Sequence, residues 1–516
     1  MVLSGYLYFF QLGKFALTDP DETFYAQSAK EMLDRKEWLT PYLYGKPQFE
    51  KPILFYTFLE VSYKFFGVNE FAARFPSALF GFIGLVAVYL LGRLLFNNRT
   101  GLLSAVILAT NVEYLMLSIG CVTDMMLFAF LSLGVLFFFY GVKRGRGAFY
   151  VLSAAAFAFA TLTKGPVFMV IPVFIIVSYL VLTKNFNALK DVRAFALSIA
   201  VFAAIALPWY VVMYKTHGNL FMDEFFGFHN VTRFMTPEHK TGSQSYYNIP
   251  IIFGGFFPWS AFLPVGLWRM FKESRAATKT HNPGSFILLW LAVIFVFFSI
   301  SSTKLPTYIF PCFMSLALIT GRFWDSFLAD AKENGIFRSM SISYYMLMLA
   351  IAATAIGGYI FLKLDSPEML TGAVISGLFL ILGMTISLIA FIYKKFTAAF
   401  AFIAYSISLV LIPAASLILP DVEGYETSKP VARIISANCK KGDIIASEKD
   451  YRPGVAFYTG AIPAFLSNSS NLDEYRRAGK TVWAVLKRRN IVDQNYNIVC
   501  SFGKKCLVTN SKEALK

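Results

Sequence analysis

The sequence has 516 residues, of which 57% are hydrophobic and 15% are charged, and its mean hydropathy is +0.57. Because a soluble domain carries about 25% charged residues, this composition excludes an ordinary soluble protein and indicates a membrane protein. The formal net charge of +16 is expected to reflect membrane topology and contact with anionic lipids, not binding of nucleic acid. The cysteines form neither a disulfide framework nor a zinc motif, although the spacing of Cys500 and Cys506 leaves a bridge open.

Repeated apolar stretches divide the chain into predicted membrane spans. Stretches of roughly 17–25 apolar residues between short polar loops are typical of transmembrane helices. We count about thirteen of them, which predicts a polytopic α-helical membrane protein with its termini on opposite sides of the membrane. The predicted spans are 2–17, 76–96, 101–118, 125–141, 148–163, 166–183, 194–214, 249–268, 284–300, 307–322, 341–362, 369–392 and 398–419.

The loops between these spans alternate in positive charge. The loops that carry Lys or Arg, several of them in clusters, are 97–100, 141–147, 183–193, 269–281 and 393–397, and the poorer ones are 120–124, 163–166, 302–306 and 363–368. The positive-inside rule assigns the first set to the cytoplasm. The second set then shares the outer side with the long loops 18–75 and 215–248 and with the C-terminal tail, so every loop with unusual chemistry faces one compartment.

The first outer loop opens with the sequence DPDE at 19–22. Asp19 fits a helix N-cap, Pro20 the first helical position and Glu22 the acid of a capping box. Asp21 is a further carboxylate that this arrangement does not use. Because an acid near a helix N-terminus is favourable on its own, Asp21 is either a helix-start residue or a catalytic group.

The rest of loop 18–75 predicts two interfacial helices. The first covers residues 23–36 and lies in the headgroup region. The second starts soon after Glu50 and Lys51, where a carboxylate or an anionic ligand is favoured near a helix N-terminus. The alternative for this adjacent pair is an ordinary solvated ion pair. The side chains of the first helix that are expected to face lipid are Phe24, Ala29, Met32 and Leu33.

Several ionisable side chains lie at the outer ends of the predicted spans. Asp124 starts a span, where an ionisable residue is a functional candidate or the N-cap of the helix that follows. Lys164 and Lys304 flank spans, where a lysine commonly snorkels to the surface. With Lys51 and Arg233 they form a candidate phosphate site, because Arg supplies a planar fork and Lys a point charge.

The loop 215–248 contains three of the four histidines of the chain, namely His217, His229 and His239. Their clustering suggests a metal site, with Glu50 as a carboxylate ligand. Their spacing matches no standard zinc motif, so the alternative is that they are ordinary polar residues.

The last part of the chain differs in composition from the membrane part. From Asp421 onwards the charge rises, and apolar and polar residues alternate in segments such as 442–448 and 481–487. This pattern predicts a small soluble α/β domain over 421–516 at the membrane surface. We recognise no catalytic constellation in it.

Seven motifs of the predicted outer side occur in order along most of the membrane part. Together they resemble the GT-C superfamily of membrane glycosyltransferases, and in particular its bacterial lipid A aminoarabinose transferases (ArnT-like) and the related protein O-mannosyltransferases. The motifs are DPDETFYAQSAKEML at 19–33, FEKPILFY at 49–56, VTDMMLFAF at 122–130, TKGP at 163–166, HNVTRF at 229–234, YYNIPIIFGGFFPW at 246–259 and KLPTYIFPC at 304–312.

The resemblance implies a fold and a reaction. Residues 1–420 would form a GT-C catalytic domain. It would transfer a sugar from a polyprenyl (undecaprenyl) phosphate donor to lipid A or another envelope glycan or protein, on the periplasmic face of the bacterial inner membrane. Asp21 then corresponds to the catalytic aspartate and Asp124 to a second outer-loop acid. The expected chemistry is direct displacement with inversion at the anomeric carbon.

The resemblance also implies ligands for the donor. Lys51, Arg233 and Tyr308 correspond to contacts with the donor phosphate, and Lys164 and Lys304 join them on charge and placement. Glu50 corresponds to a ligand of a divalent metal such as zinc. The histidine ligand is assigned to His229, with His239 as the fallback.

Two other functions stay open from the sequence. A transporter or lipid flippase would also have many spans and membrane-embedded charges, but no inverted repeat or pair of broken helices is recognised. A protein O-mannosyltransferase would use the same kind of donor and label a polypeptide. The identity of the sugar does not follow from the sequence.

Overall fold

The computed structural model is mainly helical and describes most of the chain. It describes residues 8–186, 190–236, 244, 246–277, 282–365, 367–467, 470–490, 496–503 and 505–511. The apolar runs form helices because a helix satisfies its backbone hydrogen bonds within the segment, which the hydrocarbon of a bilayer cannot do. The predicted class, a polytopic helical membrane protein with a small C-terminal α/β domain, is confirmed.

The elements are numbered here in chain order. The first outer loop holds α1 (Asp21–Arg35), β1 (Tyr42–Leu43), β2 (Lys46–Pro47) and α2 (Leu54–Phe66). The helices that follow are α3 (Glu70–Leu95), α4 (Asn98–Ala109), α5 (Val112–Ser118), α6 (Asp124–Arg144), α7 (Gly147–Lys164), α8 (Val167–Thr183), α9 (Val192–His217), α10 (Asn219–Phe221), a π-helix (Met222–Thr232), α11 (Arg233–Met235), α12 (Asn248–Gly255), a 3-10 helix (Trp259–Phe262), α13 (Leu263–Ala276), α14 (Pro283–Ile300), a 3-10 helix (Pro306–Cys312), α15 (Phe313–Ala329), α16 (Asn334–Asp365), a 3-10 helix (Pro367–Met369), α17 (Leu370–Ile392), α18 (Phe396–Pro413), a π-helix (Ala414–Ile418) and α19 (Leu419–Glu426). The C-terminal part contains α20 (Lys429–Asn438), β3 (Ile444–Glu448), α21 (Arg452–Thr459), β4 (Ala464–Leu466), α22 (Ser470–Arg477), β5 (Val482–Lys487), a 3-10 helix (Arg488–Asn490), β6 (Asn497–Phe502) and β7 (Lys505–Thr509).

The number of membrane spans is lower than the predicted thirteen when only length and apolar composition of the described helices are considered. Eight helices are long and apolar enough to cross a membrane, or up to ten if two bent helix pairs are each one span. One bent pair joins α4 to α5 at 68°, and the other joins α12 to α13 at 112°. The apolar helix α8 has 17 residues and falls just short. The predicted count is therefore not confirmed, and part of the predicted span 2–17 lies outside the described residues.

The first helix is held by a buried ion pair instead of the predicted capping box. No side-chain cap precedes α1. The Glu22 carboxylate instead accepts two hydrogen bonds from the Arg74 guanidinium, at 2.8 and 2.7 Å, and one each from the backbone N–H groups of Thr18 and Cys121. Arg74 also donates to three carbonyl oxygens of residues 12–16. The first turn of α1 is thereby fixed to α3 and to the loop before α6.

The apolar side of α1 faces protein. Ala29 and Met32, which were expected to face lipid, have no exposed surface. The helix packs against α2 and against α21 of the C-terminal domain, so this part of the interfacial-helix prediction is wrong.

The C-terminal domain is built on a mixed five-stranded sheet in the order β4-β3-β5-β7-β6. Strand β3 is parallel to β4 and β5, whereas β7 is antiparallel to β5 and β6. Alternate residues of β5 contribute to the two faces of the sheet, with Trp483 in one apolar cluster and Ala484 in the other. Cys500 and Cys506 lie on neighbouring strands as free thiols, and Ser501, not Cys500, is opposite Cys506.

The C-terminal domain is docked on the first outer loop through the side chain of Asp19. This buried carboxylate accepts hydrogen bonds from Ser428 Oγ at 2.5 Å and from Lys505 Nζ at 3.4 Å. A second ion pair joins Lys429 Nζ to Glu70 Oε1 at 2.5 Å, at the start of α3. The predicted domain boundary after residue 420 falls inside α19.

Candidate active site

A cavity of about 610 Å³ lies between the ends of the membrane helices and the C-terminal domain. Its walls come from the first turn of α1, the segment before α2, the facing ends of α6 and α7, and residues 449–453 of the C-terminal domain, which include the start of α21. Seven of the predicted site residues line this cavity: Asp21, Glu50, Lys51, Asp124, Lys164, Arg233 and Tyr308.

Asp21 is the first residue of α1, and its side chain is exposed to this cavity. No ion pair or hydrogen bond of its carboxylate occurs within the described residues. Partial burial and the nearby carboxylates of Glu50, Asp124 and Glu22 raise the pKa of Asp21 above its usual value, and Lys51 lowers it in part. A carboxylate with a raised pKa and no structural partner is suited to accept a proton.

Glu50 carries the ion pairs of the opposite wall. Its Oε1 lies 3.0 Å from Arg233 Nη1 and 3.5 Å from Lys51 Nζ. Burial opposes ionisation of this carboxyl group, but Lys51 and Arg233 outweigh it and hold the pKa of Glu50 at about 2. Burial lowers the pKa of Lys51, and the positive charges of Lys164 and Arg233 lower it further. The negative charge of Glu50 raises it in part. Glu50 therefore orients two cations that point into the cavity.

Asp124 and Lys164 form another ion pair in the cavity wall, in addition to those of Glu50. Lys164 Nζ lies 2.5 Å from Asp124 Oδ1, and both side chains are 8% exposed. The ammonium also lies 5.6 Å from the centre of the Tyr308 ring. Because Asp124 begins α6 and Lys164 ends α7, this pair joins two antiparallel helices at the cavity floor. Asp124 is the first residue of α6 and not its N-cap, because Thr123 holds the cap position and no side-chain cap hydrogen bond is present, so the N-cap interpretation is wrong.

Arg233 is placed by contacts between two loops. The backbone N–H of Ser302 donates to the carbonyl of Phe234 at 2.9 Å, and Thr303 Oγ1 donates to the carbonyl of Thr236 at 3.0 Å. These bonds hold the segment after the long π-helix beside the loop that leads to Tyr308. A guanidinium from one loop and a phenol from the other thereby reach the same cavity.

Two of the predicted ligands that the structure describes, Lys304 and His229, do not line the cavity. Lys304 precedes Leu305, which lines the cavity, but its own side chain is 6% exposed and lies outside the lining. His239 falls outside the described residues. The charge of His229 acts on Glu50, yet the described residues contain no group of three or more His, Cys, Asp or Glu side chains that could hold a metal ion. The donor set does not fit a metal as it stands, and the metal site stays a prediction.

The C-terminal domain contributes residues that the sequence analysis missed. Lys449, Asp450, Arg452 and Phe465 line the cavity. The Arg452 guanidinium lies 3.9 Å from the centre of the Tyr44 ring, and its Nε donates to the carbonyl of Pro463 at 2.9 Å. Residues 449–453, which form the loop after β3 and the start of α21, directly follow the carboxyl end of this parallel strand, which is where α/β sheets place ligand-binding residues. This position was the signal that could have identified them.

The cavity therefore contains two cationic regions and the carboxylate of Asp21, which has no partner among the described residues. Lys51 and Arg233 lie with Glu50 on the membrane side, and Lys449 and Arg452 lie on the side of the C-terminal domain. Phosphate groups are bound by such side chains. The arrangement can hold two anionic groups and present a base between a donor and an acceptor.

The family models and known proteins point to one group of enzymes. Residues 50–211 match the family model described as dolichyl-phosphate-mannose-protein mannosyltransferase. The chain is 31% identical over 339 residues to the undecaprenyl phosphate-alpha-4-amino-4-deoxy-L-arabinose arabinosyl transferase 1 of Pseudomonas fluorescens, an alignment that covers 65% of this chain and 60% of that protein. The corresponding transferase of Photorhabdus laumondii is 30% identical, with 65% of this chain and 60% of that protein covered. The chain thus spans about 60% of the length of these curated relatives.

One relative matches more of the chain in sequence, and one solved structure matches its whole length. An uncharacterized protein of Aquifex aeolicus is 30% identical over 430 residues, which cover 83% of this chain and 79% of that protein. The crystal structure of ArnT from Cupriavidus metallidurans bound to undecaprenyl phosphate superposes with a TM-score of 0.83 at 20% identity, covering 100% of this chain and 98% of that chain. These matches confirm the resemblance inferred from the sequence motifs. The chain belongs to the same family as the Aquifex aeolicus protein, has the GT-C fold of ArnT, and is similar in sequence to the aminoarabinose transferases and, over residues 50–211, to the protein mannosyltransferase family.

Proposed function

We propose that this chain is an integral membrane glycosyltransferase. It moves a sugar, aminoarabinose-like or another pentose or hexose, from a polyprenyl (undecaprenyl) phosphate donor to lipid A or another envelope acceptor. The reaction takes place on the periplasmic face of the bacterial inner membrane. The observation that carries this proposal is the cavity in which Asp21, a carboxylate without a partner among the described residues, faces cations from both the membrane part and the C-terminal domain. The names of the sequence relatives support the donor.

The donor phosphate binds on the membrane side of the cavity. Lys51 and Arg233 supply charge, and the phenol of Tyr308 supplies a hydrogen bond. Glu50 orients the two cations and keeps their net charge low while the site is empty. As the bond to the sugar breaks, negative charge grows on the bridging phosphate oxygen, and these preorganised groups stabilise it.

The transfer breaks one carbon–oxygen bond and forms another. The acceptor oxygen attacks the anomeric carbon from the face opposite the phosphate, and polyprenyl phosphate leaves with the bonding electron pair. The configuration of the anomeric carbon is inverted. If the acceptor is a hydroxyl group, Asp21 takes its proton. A phosphate acceptor is already ionised, and Asp21 then orients it and balances the charge of the cations.

The acceptor binds on the side of the C-terminal domain. The exposed Lys449 ammonium has no carboxylate within ion-pair distance in the part of the chain that the structure describes, and the same holds for Arg452. Two such cations favour an acceptor that carries phosphate, as lipid A does. A protein acceptor is the second candidate, because the matching family model is that of a protein mannosyltransferase.

The experiment compares envelope glycolipids and glycoproteins by mass spectrometry. The four strains carry the wild-type chain, a deletion, Asp21→Asn and Asp34→Asn, which changes an exposed acid on the same helix. We expect a glycan mass that is lost in the deletion and in Asp21→Asn and retained in Asp34→Asn, and its carrier names the acceptor. If Asp21→Asn at normal expression restores the mass, Asp21 is only a helix-start acid. Translocation of a lipid without any covalent product would instead identify a transporter.

A further inference from the structure

A second cavity, of about 350 Å³, lies between α13 and α15. Its charged lining consists of three cations, Arg269, Lys272 and Arg322, and one carboxylate, Glu273. Nothing in the proposed glycosyl transfer uses this cavity. The charge and the position of this cavity indicate a separate ligand.

The cavity lies at the end of the helices opposite to the candidate active site. Helix α3 starts at Glu70, which pairs with Lys429 of the C-terminal domain. It runs for 26 residues, about 39 Å of helix. Just beyond its far end, Arg99 forms an ion pair with Asp325 of α15, one turn from Arg322. Residues 97–100 and the described residues 269–277 of the predicted charge-rich loops therefore lie at this end.

One of the three cations is already neutralised by protein. Arg322 Nη2 lies 2.5 Å from Glu273 Oε1, and Arg322 Nη1 lies 3.4 Å from Asp325 Oδ2. Among the described residues, Arg269 donates to one neutral hydroxyl, that of Ser339, at 3.2 Å. Lys272 is exposed, and neither Arg269 nor Lys272 has a carboxylate partner within the described ranges. The cavity thus keeps two uncompensated positive charges.

The surroundings of these charges are apolar. Met270, Ile319 and Phe323 form buried parts of the lining. On the outer surface of α13, Trp268 is 66% exposed and Phe271 is 49% exposed. Trp268 and Lys272 are four residues apart and therefore adjacent on one face of the helix. Exposed Trp beside Lys at a helix end is typical of the level of lipid headgroups.

We propose that this cavity binds the phosphate of an anionic phospholipid headgroup. Arg269 and Lys272 hold the phosphate, and the exposed surface around Trp268 and Phe271 contacts the acyl chains. Basic pockets between membrane helices bind anionic headgroups in this manner. A lipid fits better than a free phosphate ion because the cations lie next to an apolar, membrane-facing surface and not in an open polar cleft.

The test uses the full chain purified in nanodiscs that contain phosphatidylglycerol in phosphatidylcholine. Native mass spectrometry counts the phosphatidylglycerol molecules retained by the wild type, Arg269→Gln, Lys272→Gln and the control Arg275→Gln. Arg275 is exposed on the same helix and lines neither of the two cavities. We expect retention to fall about fivefold in each of the first two variants and to stay unchanged in the control. A parallel arm adds inorganic phosphate, which should not displace the lipid.

Three results would overturn the proposal. Equal retention in the wild type and in both cavity variants means that the cavity holds no lipid. An equal loss in Arg275→Gln means that general surface charge retains the lipid. Displacement by inorganic phosphate means that the site takes a small anion. Unchanged thermal melting of each variant shows that a loss of lipid does not come from misfolding.

Discussion

The buried pair between Glu22 and Arg74 gives the sharpest prediction for stability. Arg74→Met leaves the Glu22 carboxylate buried without a counter-charge and leaves three backbone carbonyls without their donor. The two side chains are 7% and 8% exposed, and breaking such a buried pair costs about 3–5 kcal/mol. We therefore expect the free energy of unfolding to fall by about that amount. The assay is denaturant unfolding of the purified protein in mixed micelles, followed by tryptophan fluorescence.

A control variant and a double-mutant cycle make this prediction refutable. Arg93→Met removes an exposed arginine from the same helix and should change the free energy of unfolding by less than about 0.5 kcal/mol. The double variant Glu22→Met with Arg74→Met removes both charges and should be more stable than Arg74→Met alone. If Arg74→Met behaves like Arg93→Met, or if the double variant loses the sum of the single effects, the pair does not fix the first turn of α1.

Three further predictions concern the reaction and the metal. Glu50→Gln removes a negative charge near Asp21 and should therefore lower the raised pKa of Asp21. With a hydroxyl acceptor, the acid limb of the pH profile of kcat/KM should then move to lower pH. An unchanged acid limb would rule out Asp21 as the titrating base. Arg452→Gln should raise the acceptor KM about tenfold, as expected for a lost charge-assisted bond, whereas Arg433→Gln, exposed on α20, should leave it unchanged. If the predicted metal exists, elemental analysis finds a divalent ion in the wild type and less of it in His229→Ala; a wild type without metal ends that prediction.

The sequence was most informative where structure depends on local composition. Eleven of the predicted spans coincide with described apolar helices or bent helix pairs, because an apolar run that enters a bilayer has little alternative to a helix. Most of the charged residues predicted at the span ends line the same cavity, while their roles stay predictions. Asp21, Lys51 and Asp124 reach one cavity because loops on the same side of a helical bundle meet there.

The errors concern contacts between distant parts of the chain. Glu22 had the right spacing for a capping box, but besides backbone N–H groups its carboxylate binds the guanidinium of Arg74, 52 residues away, which a local pattern cannot show. Met32 was expected to face lipid because its burial in one apolar cluster with Trp209 and Phe221, more than 170 residues later in the chain, is invisible in a local pattern. Arg452 was missed for the same reason, since its partner ring on Tyr44 is more than 400 residues earlier in the chain.

The turn at residues 19–22 has a consequence for experiments that truncate the chain. Its three acids point to three different parts of the molecule: Asp19 to the C-terminal domain, Asp21 to the cavity and Glu22 to the membrane helices. Removing the C-terminal domain would therefore delete the acceptor-side cations and also release Asp19, two residues from the proposed base. A truncated chain that loses activity cannot distinguish a missing binding surface from a misaligned carboxylate. Only point variants such as Arg452→Gln, which leave the Asp19 contact intact, separate recognition of the acceptor from alignment of the catalytic turn.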